Sequence, residues 1–127
     1  MEEITTDNAP SFEAAPLSQA TKVGNTIYVS GQLGIDPQSE ELVSSDVQEQ
    51  TKQTIENIAA VLEAAGASLD DIVNTTVFLS DLKHYDDVNE VYSESLSEPY
   101  PSRSAIEVGD LVLDGDVEIE VIAHKDD

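Results

Sequence analysis

The sequence predicts an α/β (α+β) protein in which two helices pack on one face of a mixed sheet. Three observations support this prediction. The apolar residues of one long segment recur at three- and four-residue steps, which is the period of a helix. Several other segments are rich in β-branched residues or alternate apolar with polar side chains, as strands do. The strands lie before, between and after two helical segments, an order typical of helices layered on one sheet.

The first strands are predicted on either side of a glycine-asparagine turn, at Thr21–Val23 and Thr26–Ser30. Residues 1–20, which contain two prolines, are predicted to be irregular. The extended stretch continues through Gly31 and Gly34. Glycines inside a strand indicate a bulge, or a place where backbone or ligand approaches closely.

The clearest helix is predicted over residues 46–65, because its apolar residues form one stripe. Ser45 and Gln48 fit a capping box at its start. Gly66 fits the left-handed position that follows many helices. The acidic opposite side of this helix is expected to face solvent.

The second half of the chain continues with alternating elements. Residues 71–80 are apolar and β-branched, which predicts a largely buried strand. A second helix is predicted over residues 85–96, and a short strand over Ser104–Val108.

A hairpin is predicted near the end of the chain. Leu111–Leu113 and Val117–Ala123 flank Asp114-Gly115, which is a strong turn signal. Alternation in the second of these strands places Glu118 and Glu120 on the face opposite its apolar residues. The simplest interpretation of these two glutamates alone is the solvated face of an edge strand.

The composition favours a folded protein with an unusual surface. The 127 residues form one predicted domain, 1–127, which is long enough for a hydrophobic core. The chain has 27 acidic and 5 basic residues and a net charge of −22, with the acids spread through regular segments. This pattern predicts adaptation to high salt, where screening weakens self-repulsion; a specific cationic partner is the alternative. The shortage of Lys and Arg argues against nucleic-acid binding.

Several classes of site are disfavoured by the residues present. The chain has no cysteine, which excludes disulfides and thiolate chemistry. His84 and His124 lack the spacing of metal ligands, and no acidic motif predicts a metal site. No basic-plus-apolar leader and no long apolar run is visible, so we predict a soluble cytoplasmic protein without a membrane partner.

Arg103 is the only arginine of the chain, and it lies between a proline-rich loop and a predicted strand. Its planar guanidinium can donate two parallel hydrogen bonds to a carboxylate, which a lysine cannot do. Arg103 is therefore a candidate anchor for a small anionic substrate. A structural ion pair with one of the many acidic residues is the alternative.

Five separated blocks of the sequence resemble the RidA/YjgF family of enamine/imine deaminases. The similarity runs from about residue 8 to residue 123, and the blocks follow the order found in that family. The blocks are Ile27–Gln32, Asn74–Leu79, Val88–Tyr92, Glu98–Ser104 and Val117–Ala123.

The resemblance implies a chorismate-mutase-like α/β fold, assembled as a homotrimer whose active sites lie between subunits. It also implies hydrolysis of 2-aminoacrylate, 2-iminopropanoate and 2-iminobutanoate to 2-oxo acids and ammonia. These reactive intermediates come from pyridoxal-phosphate-dependent dehydratases, but the family's own reaction needs no cofactor and no metal.

The family's site residues carry over to five positions of this chain. By this resemblance, Arg103 grips the substrate carboxylate, with Ser30 and the backbone of Gly31 close to it. Asn89 lines the cleft, and Glu118 positions the attacking water. A carboxylate in a cleft is also chemically suited to accept a proton from water, and a neighbouring acid can raise its pKa.

Two positions depart from the family pattern. Leu17 stands where a tyrosine is common, and Ala105 stands where cysteine or threonine is common. The lost phenol and the lost polar side chain predict an altered substrate preference. They also leave open a second function, that of a non-catalytic trimer which binds small carboxylates and senses 2-oxo acids.

Overall fold

The computed structural model describes residues 1–126, which fold into one sheet and two helices. The helices are α1 (Val47–Ala64) and α2 (Tyr85–Ser95). The strands are β1 (Glu2–Ile4), β2 (Ala20–Val23), β3 (Thr26–Leu33), β4 (Ile72–Leu79), β5 (Ser102–Glu107) and β6 (Val117–His124). The predicted α+β class is therefore confirmed.

The sheet has the order β1-β2-β3-β6-β4-β5. All neighbouring strands are antiparallel except β4 and β5, which are parallel because α2 carries the chain back between them. Both helices lie on one face. The alternating residues of β6 show this division, since Val117, Ile119 and Val121 are buried under the helices while Glu118 and Glu120 point to the open face.

The long helix begins one residue later than the predicted capping box. Asp46 is the N-cap, and its side chain accepts a hydrogen bond from the backbone N–H of Glu49 at 3.1 Å. The predicted pairing of Ser45 with Gln48 is wrong, because the aspartate at the next position is an equally good cap. Gly66 follows the helix with φ +82°, as predicted.

A bulge interrupts the pairing of β3 with β6, as the glycine in this strand predicted. Val29 pairs with Val121, whereas the next pair is Gln32 with Ile119, so Ser30 and Gly31 have no Cα partners. The extra residue reverses the side to which the following side chains point. Gln32 is thereby buried on the helix side.

The predicted hairpin at Asp114-Gly115 is wrong. Residues Val112–Asp114 form a 3-10 turn, and both Leu113 and Asp114 have φ near +55° (53° and 58°). Gly115 is extended, and its Cα packs against the side chain of Leu33 so closely that a Cβ would meet that leucine at 2.7 Å. The glycine therefore serves close packing rather than a hairpin turn.

Residues 1–20 are not entirely irregular, because β1 pairs with β2 at the edge of the sheet. The rest of this segment is held by Gln19, which is buried. Its side-chain oxygen accepts from the N–H of Thr6 at 2.7 Å, and its amide donates to the carbonyls of Thr6, Ala9 and Pro10. Gln19 thus ties residues 6–10 to the start of β2.

Within residues 1–126, neither helix is both long enough and apolar enough to cross a membrane.

Candidate active site

The structure separates the five predicted site residues into two groups. We call the first the arginine cluster, which surrounds the start of β5 and one side of α2. We call the second the glutamate cluster, which lies on the open face beside the bulge of β3. The arginine cluster contains Tyr85, Asn89, Tyr92, Tyr100 and Arg103, and the glutamate cluster contains Leu17, Ser30, Gly31 and Glu118.

Arg103 lies between two tyrosine rings rather than beside a carboxylate. Its guanidinium carbon is 4.9 Å from the ring centre of Tyr92 and 5.5 Å from that of Tyr85. Its Nη2 donates a hydrogen bond to the hydroxyl of Tyr85 at 3.1 Å. None of the salt bridges found in residues 1–126 involves Arg103. The structural ion pair considered from the sequence is therefore absent from this part of the chain.

The ring of Tyr92 is itself held in place by a hydrogen bond to the sheet. Its hydroxyl and that of Thr75 on β4 are 2.9 Å apart, and both residues are buried. Thr75 is the β4 partner of Arg103 in the parallel pair, so the two side chains point to the same side of the sheet. The hydrogen bond between Thr75 and Tyr92 thus fixes the aromatic ring over which the guanidinium lies.

Replacing Tyr92 by phenylalanine is expected to lower the free energy of unfolding by about 1–3 kcal/mol, because it leaves the buried hydroxyl of Thr75 without a partner. The double variant Tyr92→Phe/Thr75→Val removes both polar groups and should recover most of that loss. Chemical denaturation of the four proteins in the cycle measures the coupling. Equal stability of the single Tyr92→Phe variant and the wild type would contradict this role.

A hollow of about 250 Å³ opens beside the guanidinium. Asn89, Tyr100 and Pro101 line it together with Tyr92 and Arg103. Asn89 is half-buried on α2 and Tyr100 is exposed. The hollow therefore presents one guanidinium and one amide beside the rings of Tyr92 and Tyr100, which suits a small anion.

Glu118 lies directly over Gly31 on the open face. A Cβ at position 31 would collide with the Glu118 carboxylate, so only glycine leaves room for that side chain in its present position. Burial of the carboxyl raises the pKa of Glu118 above its usual range, and repulsion from the charge of Glu120 adds to the increase. A raised pKa makes this carboxyl better suited than an ordinary glutamate to accept and return a proton.

Ser30 fixes the segment that carries Leu17. Its hydroxyl donates to the carbonyl of Ser18 at 2.6 Å, and its backbone N–H donates to the carbonyl of Gln19 at 3.0 Å. The oxygen of this hydroxyl still has acceptor capacity toward a ligand N–H. Ser30 therefore lies at the glutamate cluster, and its hydroxyl hydrogen is already engaged in the hydrogen bond to Ser18.

The two clusters lie too far apart in one protomer for a small molecule to touch both. Arg103 points to the helix side and Glu118 to the open side. Their Cα atoms are separated by two strand spacings and by three residues along the strands, or about 14 Å. Because β5 is the edge strand of the sheet, the arginine cluster is accessible to a second molecule.

Several residues of these clusters were not predicted as site residues. Tyr85 and Tyr100 surround the arginine cluster, and Phe12 and Val112 border the glutamate cluster. Their aromatic or aliphatic side chains follow no catalytic motif, so the sequence offers no signal for them. Among residues 1–126, the structure gathers no group of three or more His or acidic side chains that could hold a metal ion.

Comparison with known proteins supports the resemblance seen in the sequence. The family described as Ribonuc_L-PSP, Endoribonuclease L-PSP, matches residues 6–125. A RutC family protein of Pyrococcus abyssi is 52% identical over 125 residues, which cover 98% of each chain. The human 2-iminobutanoate/2-iminopropanoate deaminase is 42% identical over 120 residues, which cover 94% of this chain and 87% of the human protein.

The fold agrees with that of a solved RidA structure. The crystal structure of RidA from the Antarctic bacterium Psychrobacter sp. PAMC 21119 matches with a TM-score of 0.94 and 48% identity, and the match covers 98% of this chain and 100% of that one. The family match over nearly the whole chain and these identities lead to one conclusion. The chain belongs to the RidA/YjgF family, whose family description is Endoribonuclease L-PSP.

Proposed function

We propose that this protein is a 2-iminobutanoate/2-iminopropanoate deaminase, which hydrolyses reactive enamine and imine intermediates to 2-oxo acids and ammonia. The observation that carries the proposal is Arg103, the one arginine in a chain of net charge −22, held between two tyrosines with no acidic partner in residues 1–126. Similarity to the human deaminase supports the same reaction.

The proposal requires two copies of the chain at each site. Because the arginine and glutamate clusters are about 14 Å apart on opposite faces, one copy supplies Arg103 and a neighbour supplies Glu118. A closed homotrimer, which the family resemblance implies, gives every copy both kinds of neighbour and forms three equal sites.

The substrate carboxylate binds the guanidinium of Arg103, and Asn89 donates or accepts at the same end. At the other end, the carboxylate of Glu118 accepts a proton from water as the water oxygen attacks the imine carbon. Glu118 returns this proton to the imine nitrogen, which gives a neutral carbinolamine. Glu118 then accepts the proton of the carbinolamine hydroxyl and passes it to the nitrogen. The C–N bond breaks, ammonia leaves, and the C=O bond of the 2-oxo acid forms.

The remaining predicted residues support this geometry. Gly31 leaves the space that Glu118 occupies, and its backbone lies beside the reacting carbon. The hydroxyl oxygen of Ser30 accepts from the imine nitrogen. All steps use groups of the protein and water, so the proposed reaction involves no cofactor.

Two other functions have less support. A non-catalytic trimer that binds 2-oxo acids would use the same arginine cluster, but it would not need a carboxyl with a raised pKa. RNA cleavage, which the family description suggests, would require contacts with phosphates. The chain has only five basic residues, and its four lysines lie far apart in the sequence.

The proposal is tested by generating imines in situ from amino acids and measuring 2-oxo acid and ammonia release with and without the protein. Salt is varied up to molar concentration, because high-salt adaptation stays a prediction. Accelerated release supports the deaminase. Saturable binding of 2-oxobutanoate without acceleration, in protein shown to be folded, would instead support the sensing function.

Shared sites are tested by co-expressing Arg103→Ala and Glu118→Gln copies, each inactive alone. In random trimers about one quarter of the sites combine an intact arginine from one copy with an intact glutamate from the next. Activity should therefore recover to roughly that fraction of wild type. No recovery in mixed trimers would place both residues in one copy's site.

A further inference from the structure

An apolar cavity of about 350 Å³ adjoins the glutamate cluster. Glu118 and Gly31 border it at one end. The side chains of Phe12, Leu17, Leu33 and Val112 supply its apolar wall. The N-terminal segment lines it through residues such as Pro10 and Phe12, and the 3-10 turn lines it through Val112.

The position of this cavity relative to the proposed chemistry identifies its occupant. The imine carbon carries a carboxylate, a nitrogen and a side chain, which point in three directions in one plane. Arg103 of the neighbouring copy takes the carboxylate, and Glu118 acts at the carbon. The side chain of the substrate therefore points away from Arg103, toward the apolar cavity beside Glu118.

The size and lining of the cavity decide which side chain fits. A water molecule occupies about 30 Å³ of liquid, so the cavity has room for roughly ten waters. A methyl or ethyl group would leave most of it empty. Leu17 and Val112 are more than half exposed in this structure, at 52% and 58%, and a larger apolar group would cover them.

We propose that this cavity is a specificity pocket, and that the enzyme prefers imines of large apolar amino acids, such as leucine and phenylalanine, over 2-iminopropanoate. The inference rests on the proposed deaminase function. Leu17, where a tyrosine is common, removes a polar group from the pocket entrance and extends its apolar wall toward Glu118.

The substrate preference is measured with imines derived from alanine, 2-aminobutyrate, leucine and phenylalanine. Each buried methylene contributes roughly a fourfold gain, so kcat/KM for the leucine-derived imine should exceed that for the alanine-derived imine by at least about tenfold. Equal or falling kcat/KM with longer side chains overturns the pocket but leaves the deaminase intact. No turnover of any imine overturns the proposed function and this inference with it.

A matched pair of variants locates the preference in the pocket. Val112→Asp places a carboxylate in the cavity wall, and it should lower the leucine-to-alanine ratio of kcat/KM by at least about fivefold. Leu113→Asp adds the same charge on the same turn, at a residue that is 52% exposed and outside the cavity, and should leave the ratio unchanged. An unchanged ratio in Val112→Asp overturns the assignment.

Binding of products gives a readout independent of catalysis. 4-Methyl-2-oxopentanoate should bind the wild type at least about tenfold more tightly than pyruvate by titration calorimetry, and Val112→Asp should abolish most of that difference. Tighter binding of pyruvate would contradict the pocket, whatever the kinetic result.

Discussion

Replacement of Arg103 by alanine is expected to lower kcat/KM of the deaminase reaction by at least about a hundredfold. Each of the two charged hydrogen bonds to the carboxylate contributes about 1.5–3 kcal/mol, and the alanine variant loses both. No other cation lies in the arginine cluster to replace them. KM should rise more than kcat falls, because the carboxylate is bound in both the ground state and the transition state. Steady-state kinetics measure the division.

Arg103→Lys is the matched control for this variant. Lysine keeps the positive charge but loses both the planar fork and the flat contact with the rings of Tyr85 and Tyr92. Its activity should fall between those of the wild type and Arg103→Ala. Circular dichroism checks that both variants fold, which is expected because Arg103 is partly exposed. Full activity of Arg103→Ala would remove the carboxylate anchor from the proposal.

Replacement of Glu118 by glutamine is expected to reduce kcat by about 10²–10⁴-fold, because a carboxamide cannot accept the proton of the attacking water. The substitution preserves the shape of the side chain over Gly31, so binding of 2-oxo acids should survive. Binding without turnover in this variant separates the catalytic role of Glu118 from a role in holding the substrate. Unimpaired kcat would show that another group activates the water.

The same variant should become more stable than the wild type as the pH rises. The raised pKa of Glu118 means that the folded protein holds this proton more tightly than the unfolded chain does. Ionisation of the carboxyl therefore opposes folding, and the stability of the wild type falls as the pH increases from the ordinary glutamate range through the raised value. Glu118→Gln has no such proton to lose, so its melting temperature should exceed that of wild type at neutral pH and converge with it in acid.

Glu120→Gln provides the comparison for this pH effect. Glu120 is exposed, and its charge is the lesser cause of the raised pKa of Glu118, after burial. Its removal should therefore give a smaller gain in melting temperature at neutral pH than Glu118→Gln gives. An equal gain from the two variants would mean that charge repulsion, and not burial, dominates at this site.

The fold was predictable where local patterns decide it. The helices and the central strands have clear periodicity, so their positions agree with the prediction to within a few residues. The β1 strand was missed because Glu2 and Glu3 are exposed and only Ile4 is buried, which leaves no alternation to detect. The hairpin was mispredicted because Asp114-Gly115 has the composition of a turn, whereas packing of Gly115 against Leu33 sets its conformation.

The candidate site was predictable as a set of residues but not as an arrangement. Arg103 and Glu118 were identified from composition, alternation and the family pattern. Their placement on opposite faces depends on the parallel pairing of β4 with β5, a long-range contact that no local pattern reports. The tyrosines around Arg103 were missed for the same reason, since Tyr85 and Arg103 are 18 positions apart in the chain.

The isolated guanidinium also has a consequence for how fast a substrate can arrive. A 2-imino acid is an anion, and it must diffuse toward a protein that carries a net charge of −22. At low ionic strength the protein's field repels it, and the single cation of the arginine cluster attracts it only at short range. Dissolved salt shortens the range of this field to about 8 Å at physiological ionic strength. The long-range repulsion of the substrate is then screened, whereas the short-range attraction between its carboxylate and Arg103 is retained. Association of the proposed substrate with this protein should thus become faster as salt is added, the reverse of the behaviour of enzymes that steer their substrates electrostatically.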